Sequence, residues 1–355
     1  VRDGEGKPGA LVDPALTFRA APFPGATLSV DAPALAATAR EVIRYLDAHG
    51  SDDPVAVTAG MPGELGVSLA RVRATLVWVA TVAEEDARTG VNRLADRDFL
   101  ADHLEVLAWH ADREAAAARK IRLEDDRIRL TRYLAWRFEG RPAPEPGFDT
   151  ALYAVPNDEA GLTDAQAAAR PDLWRWKFSR REVLDGAYAS GAAAGNARAL
   201  AWLPRAKVHE ALLQGTAVVR FPDGSEHILN VHRNNGRPWR PEAARTPELQ
   251  ERLWYFREVD GLLGWGRDDK VRVQPEVTVA GDVANLGLGK LILLHWESPS
   301  GPQARLAVLA DSGGAFAPNL FQLDYFAGVF ADKSSFEAAV APIPERVHAS
   351  IVVLK

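Results

Sequence analysis

The chain has 355 residues, no cysteine and a formal net charge of -6. That length leads us to expect two or three domains, and the charge leaves no basic surplus to neutralise phosphates, which argues against a nucleic-acid partner. Without thiols there is no disulfide framework and no thiolate chemistry, and a structural zinc site is disfavoured. No apolar run approaches ~20 residues, so no transmembrane segment is predicted. The polar start, VRDGEGKPGA, reads as a mature or trimmed N-terminus. A signal peptide or lipid-anchor cysteine would already be gone from it.

Residues 1–30 carry four prolines and four glycines without a period, and read as an extended arm. The first helix is predicted from Asp31, a capping residue followed closely by proline, to a stop at Gly50. A second is predicted near 67–88, with Leu69, Val72, Leu76, Val79 and Ala83 on one face. A third is predicted near 96–118, with Phe99, His103, Leu104 and Leu107 at helical spacing. After about 127 the text turns to strands and loops. RIRLTRYLAWRF alternates in part, and Trp174 and Trp176 alternate on a candidate strand. TAVVRFPDGSEHILNVH is the cleanest hairpin signal, two strand-like runs around Asp223-Gly224. PELQERLWYF reads as a short helix. The last hundred residues are mostly β: KVRVQPEVTVAG, KLILLHWE, ARLAVLAD and HASIVVL are strand candidates, with SPSGP turning the middle pair.

Familiar catalytic signatures are absent. There is no phosphate-binding loop, no G-x-S-x-G elbow and no H-E-x-x-H pair. His103 and His110, seven apart on the predicted third helix, have no acid to complete a metal triad, so no metal site is expected. What stands out is LADSGGAF, an apolar strand ending in Asp311 and followed by Gly313 and Gly314. On the residues alone Asp311 is either an Asp that opens a turn or an acid desolvated by its strand, with its pKa pushed up toward working pH.

Several blocks in order resemble the membrane-bound lytic transglycosylase A family and its 3D-type barrel. They are LLQGTAVVRFPDGSEHILNVHRNNGRPW, LWYFREVDGLLG, LADSGGAF and QLDYFAG, with RLTRYLAW and ALYAVP upstream. The resemblance spans roughly residues 127–330, and the departures make this a divergent member. The tyrosine block is reduced to Tyr133 before Leu134, Ala135 and Trp136. Ala317 and Pro318 replace a Lys-Gly pair, and Ala280 stands where the family has an aspartate.

The resemblance implies an α+β, mainly β architecture: a double-psi β-barrel, an inserted smaller β domain and an α-helical N-terminal section. The expected division is 1–126 for the arm and helices, 127–174 and 243–355 for the catalytic barrel, and 175–242 for the insert. It implies cleavage of the β-1,4 bond between N-acetylmuramic acid and N-acetylglucosamine in peptidoglycan, giving 1,6-anhydromuramoyl ends. A lytic transglycosylase uses the sugar's own C6 hydroxyl as nucleophile, so one carboxyl group that gives and later takes a proton suffices, where ordinary glycosidases need two. Asp311 is expected to be that group, supported by Asp324, Gly313 and Gly314. Tyr133, Gln214, Thr216, Asn235, Arg237 and Trp239 are expected to bind the glycan by stacking, hydrogen bonds and charge. No cofactor is implied. The expected partner is the peptidoglycan glycan strand, in the periplasm, with outer-membrane anchoring as a lipoprotein and a place in a cell-wall enzyme complex admitted. Two alternatives stay open: an inverting, endoglucanase-like hydrolase using Asp311 and Asp324, and a wall-binding protein without catalysis.

Overall fold

The structure, a computed structural model, describes residues 13–240, 243, 246–313 and 320–355. Gly314, Ala317 and Pro318 lie outside the described residues. The first two helices form as the pattern predicts. In Ala32–Ala48 the Asp31 carboxylate accepts the Ala34 N–H at 3.0 Å, and Leu35, Ala39, Val42 and Leu46 are buried. Leu69–Thr89 starts at Ser68, buries Val72, Leu76, Val79 and Ala83, and ends at Gly90 with φ 72°, a left-handed stop that glycine adopts freely. Both helices pack on the sheet so closely that a Cβ on Gly289 would lie 2.9 Å from Val42 Cγ1 and 3.2 Å from Leu76 Cδ1.

The third helix does not extend over 96–118. Helix Arg97–His103 gives way to a strand, Leu104–Trp109, before a second short helix, Arg113–Ala118. The strand is bonded on both sides, to Phe18–Ala21 and to Arg346–Leu354. That tertiary pairing overrides a helical spacing that is only local. His103 and His110 therefore share no helix face: His103 bonds the Phe99 carbonyl and His110 pairs with Asp126. The arm is not merely extended; Phe18–Ala21 and Thr27–Leu28 both join the large sheet.

In chain order the strands are β1 Phe18–Ala21, β2 Thr27–Leu28, β3 Leu104–Trp109, β4 Ile128–Glu139, β5 Thr150–Tyr153, β6 Ala199–Leu203, β7 Thr216–Arg220, β8 Glu226–Asn234, β9 Trp254–Val259, β10 Leu263–Gly266, β11 Lys270–Arg272, β12 Thr278–Ala280, β13 Leu291–Ser298, β14 Gly301–Asp311, β15 Gln322–Phe330 and β16 Arg346–Leu354. Six of them close a barrel in the order β16-β13-β14-β12-β15-β4, and β4 returns to β16 through Arg129↔Arg346 and Ile128↔Val347. The β12–β14 and β15–β4 pairs are parallel and the rest antiparallel. LILL in β13, AVLA in β14 and SIVV in β16 are unbroken buried runs, as strands covered on both faces should be.

The twelve residues of β4 belong to two bodies. Its first part pairs with β15 in the barrel; from Trp136 to Glu139 it pairs with β7, and β8 and β9 follow in the same sheet. A second core forms around this end from Phe138, Leu152, Tyr188, Leu203, Val219, Leu229, Tyr255 and Phe256. It draws on chain flanking 175–242 as well as on that stretch. The β7–β8 hairpin turns at Gly224, φ 86°. Trp174 and Trp176 lie in a 3-10 turn rather than a strand, because Arg175 between them is buried against Glu159. PELQERLWYF holds only a 3-10 turn, Pro247–Leu249; its aromatic end enters β9, where Trp254 to Phe256 pair with β8. Among the described residues no helix is long and apolar enough to cross a membrane.

Candidate active site

A cleft opens where β4 leaves the barrel for the second sheet. The barrel lines it with Tyr133, Ala280, Asp311, Ser312, Gly313, Asp324 and Phe326, the second body with Gln214, Gly215, Thr216 and Asn230, and the β10–β11 hairpin with Trp265 and Lys270. Strand register explains the convergence. Asp324 and Phe326 are two apart on β15 and share a face; Phe326 is registered with Tyr133 on β4, and the two rings stack with centroids 4.9 Å apart.

Asp311 is the last residue of β14. Its Oδ1 accepts the Ser312 N–H at 2.8 Å and its Oδ2 accepts the Tyr133 hydroxyl at 2.9 Å. Ser312 is itself fixed, donating its hydroxyl to the Gly281 carbonyl at 2.8 Å. The β10 backbone runs against this corner: a Cβ at Gly264 would lie 2.6 Å from the Ala310 carbonyl and 3.1 Å from Asp311 Cβ, so only glycine fits. Burial pushes the Asp311 carboxyl up, while Ser312, Tyr133 and the Lys270 charge pull it back. Burial and the neighbouring carboxylate push the Tyr133 phenol well above its ordinary value, so it keeps its proton and remains a donor.

Asp324 is held differently. Burial pushes it up to about 6; the Thr131 hydroxyl pulls it down and the Asp311 charge pushes it up again. Its Oδ1 is buried with no hydrogen-bond partner. Of the two acids, one is anchored by two donors and the other keeps a bare oxygen.

The cleft also holds residues the sequence reading missed. Lys270 is buried, with Nζ donating to Asn230 Oδ1 at 2.6 Å and to the Val231 carbonyl at 2.8 Å. Burial brings its ammonium down to about 8. Asn230 passes the chain on, donating to Thr216 Oγ1 at 2.8 Å. The detectable signal was Asn230 itself, an amide set between the apolar residues Leu229 and Val231 of β8. Trp265 is oriented by Nε1–H, which donates to Asp53 Oδ2 at 2.7 Å.

Of the expected residues, Asp311, Asp324, Gly313, Tyr133, Gln214 and Thr216 meet in this cleft. Asn235, Arg237 and Trp239 do not line it. Asn235 is buried; its amide donates to the Phe178 and Glu251 carbonyls and its oxygen accepts Leu253 N–H, which makes it a loop staple. Arg237 and Trp239 are exposed beyond it. Among the described residues no cluster of His, Asp and Glu is arranged to hold a metal ion.

Residues 129–246 match the family model described as the MltA specific insert domain. E. coli MltA with bound chitohexaose is similar in fold, with a TM-score of 0.58 and 14% identity over 99% of this chain and 97% of that one. A membrane-bound lytic murein transglycosylase from Agrobacterium tumefaciens gives 0.58 and 17%, over 95% and 97%. MltA from Neisseria gonorrhoeae gives 0.57 and 12%, over 95% and 91%. No curated protein matches the chain by sequence. These likenesses show the fold, with its double-psi barrel, inserted domain and N-terminal helices.

Proposed function

As a divergent member of the MltA family, this chain is, we propose, a lytic transglycosylase of peptidoglycan, with Asp324 rather than Asp311 as its acid and base. The observation that carries the assignment is the asymmetry of the two carboxylates. Hydrogen bonds to a carboxylate favour its charged form, and a like charge nearby disfavours ionisation of its neighbour. Asp311, where two donors and Lys270 oppose the burial that raises its carboxyl, takes the ionised role on this reading. The shared proton then belongs to Asp324, whose Oδ1 has no other donor to satisfy it.

The reaction follows from that division. Asp324–OH donates its proton to the glycosidic oxygen as the C1–O4 bond breaks, and N-acetylglucosamine leaves as the alcohol. Positive charge builds on the muramic ring, and the Asp311 carboxylate stabilises it through space. Asp324, now ionised, takes the proton of the C6 hydroxyl as O6 bonds to C1. The product is a 1,6-anhydro ring, the acid is restored, and no water is consumed. On this reading Gln214, Thr216 and Tyr133, all lining the cleft, bind flanking sugars, with buried Phe326 backing the Tyr133 ring. That the E. coli relative carries chitohexaose supports a glycan as the ligand. The proposed location is the periplasm, where the substrate lies, with membrane attachment by analogy to the A. tumefaciens protein described as membrane-bound.

An inverting hydrolase would need Asp311 to activate water. Each of its oxygens already accepts one hydrogen bond, and the product formed distinguishes the two readings. Mass spectrometry of sacculi digested with the purified protein is the test. Anhydromuramoyl ends are expected; reducing muramic ends would establish a hydrolase, and no released fragments would leave a wall-binding protein.

A further inference from the structure

Beside the cleft lies a second cavity, walled by β9, by the β10–β11 hairpin and by helix Ala32–Ala48; Leu263 and Lys270 line both. Its charged residues are almost all matched. Arg44 holds Asp269 at 2.6 Å and Glu41 at 3.2 Å, Arg272 holds Asp260, and His227 holds Glu258 at 2.6 Å. Asp268 accepts the Asp164 N–H at 3.0 Å and pairs with His232 and Arg233; Asp269 also takes His49.

Of the described residues of the lining, two cations lack a carboxylate partner, Lys270 and Arg257; Lys270 is taken up by Asn230 and the Val231 carbonyl, and Arg257 is left. Among the described residues no carboxylate lies within salt-bridge distance of it, although Asp268 and Asp269 act on it through space. Its guanidinium donates only to two carbonyls, Asp268 O at 2.6 Å and Arg267 O at 3.4 Å, and its Nε is buried without a partner. A half-buried arginine costs free energy unless an anion meets it, and its fork suits a carboxylate. Among the described residues every carboxylate of this cavity already has a partner of its own, which leaves Arg257 able to take a further anion.

We propose that Arg257 and this cavity bind a carboxylate of the peptide carried on the lactyl group of the glycan, so that the enzyme reads peptide-bearing strands in preference to bare ones. The inference rests on the glycan-cleaving reading and adds a substituent site to it.

The test is equilibrium binding of purified glycan strands, with stem peptides and after their removal, to the unaltered protein and to Arg257→Met, with cleavage assayed separately. The unaltered protein is expected to bind peptide-bearing strands about tenfold more tightly, one charge-assisted contact's worth, and R257M to bring the two affinities together. Strands whose peptide carboxylates have been amidated should behave as bare ones toward the unaltered protein, a readout that needs no variant. Equal affinity of the unaltered protein for all three strands overturns the peptide site, as does a preference that survives in R257M. Binding without cleavage of any strand overturns the transglycosylase reading instead and leaves the peptide comparison decisive.

Discussion

Asp311 and Asp324 are both registered on Ala280, one across the parallel β14–β12 pair and the other across the antiparallel β12–β15 pair. The strand between them presents a methyl group at that position, so nothing ionic separates the two carboxyls. The resemblance places an aspartate there in the family. Burial raises both carboxyls; Ser312, Tyr133 and Lys270 oppose it at Asp311, and Thr131, Arg129 and Arg132 oppose it at Asp324.

Asp324→Asn should lower cleavage about a thousandfold or more, in the upper range of general acid–base contributions, while leaving the protein folded. Asp311→Asn should cost less in rate and change the pH profile. Asp324 must be protonated to act, so kcat/KM should fall as pH rises through about 6. The Asp311 charge raises Asp324; removing it lowers that pKa, and the alkaline limb should move to lower pH. A rate loss from D311N larger than that from D324N would return the acid role to Asp311.

Tyr133→Phe keeps the stack on Phe326 and deletes one donor to Asp311. With that hydrogen bond gone, the Asp311 carboxyl rises further and is ionised only at higher pH. The acidic limb of the profile should therefore shift upward, with the loss greatest at the acid end and shrinking as pH rises. An unshifted acidic limb would mean that Asp311 is not the group titrating there.

How much of this was legible depended on whether the controlling contact was local. β14 and its terminal acid could be read because RLAVLAD is a continuous apolar run ending in a turn, and the hairpin at Gly224 because its signal is contained in a few residues. The contacts of the two acids could not. The hydroxyl that donates to Asp311 belongs to Tyr133, far upstream, and only the closed β4–β15 pairing brings it there. Leu104–Trp109 carries helical spacing and became a strand because two partners bond its backbone. Asn235 looked like a groove residue because Asn-Gly is polar turn text; burial under Leu253 and Phe178 carbonyl contacts is invisible in sequence. The burial of Lys270 and Arg257 follows from the packing of β9 against the β10–β11 hairpin and leaves no trace in the local text.

Lys290 is fully buried, its Nζ has no hydrogen-bond partner, and burial lowers its ammonium to about 7. The folded state thus prefers the neutral amine while the unfolded chain is protonated up to its ordinary value near 10.5. Stability should fall as pH drops from about 10 to about 7 and then level off, because below 7 both states are charged. Lys290→Met should be more stable than the parent by about 3–5 kcal/mol at pH 7, with the gain vanishing near pH 10. Denaturant unfolding at the two pH values checks it, and a pH-independent difference would place the effect in packing instead.

Glu159 is fully buried between two buried arginines, Arg175 at 3.0 Å and Arg233 at 2.8 Å. Arg233 sits on β8, the strand whose Asn230 faces the cleft, and Arg175 anchors the turn of Trp174 and Trp176. Removing the carboxylate leaves two guanidinium charges out of water with too little to neutralise them, a change that typically costs about 3–5 kcal/mol. Glu159→Gln preserves shape and one acceptor, so the loss it produces is electrostatic rather than steric. We expect a lowered Tm with the cleavage rate at 25 °C within about tenfold of the parent, because the carboxylate pair sits on the barrel strands. Replacing all three residues together by Leu and Met should recover much of that stability, since no buried charge then remains. If E159Q and the triple variant were equally unstable, the network would be contributing packing and not charge balance.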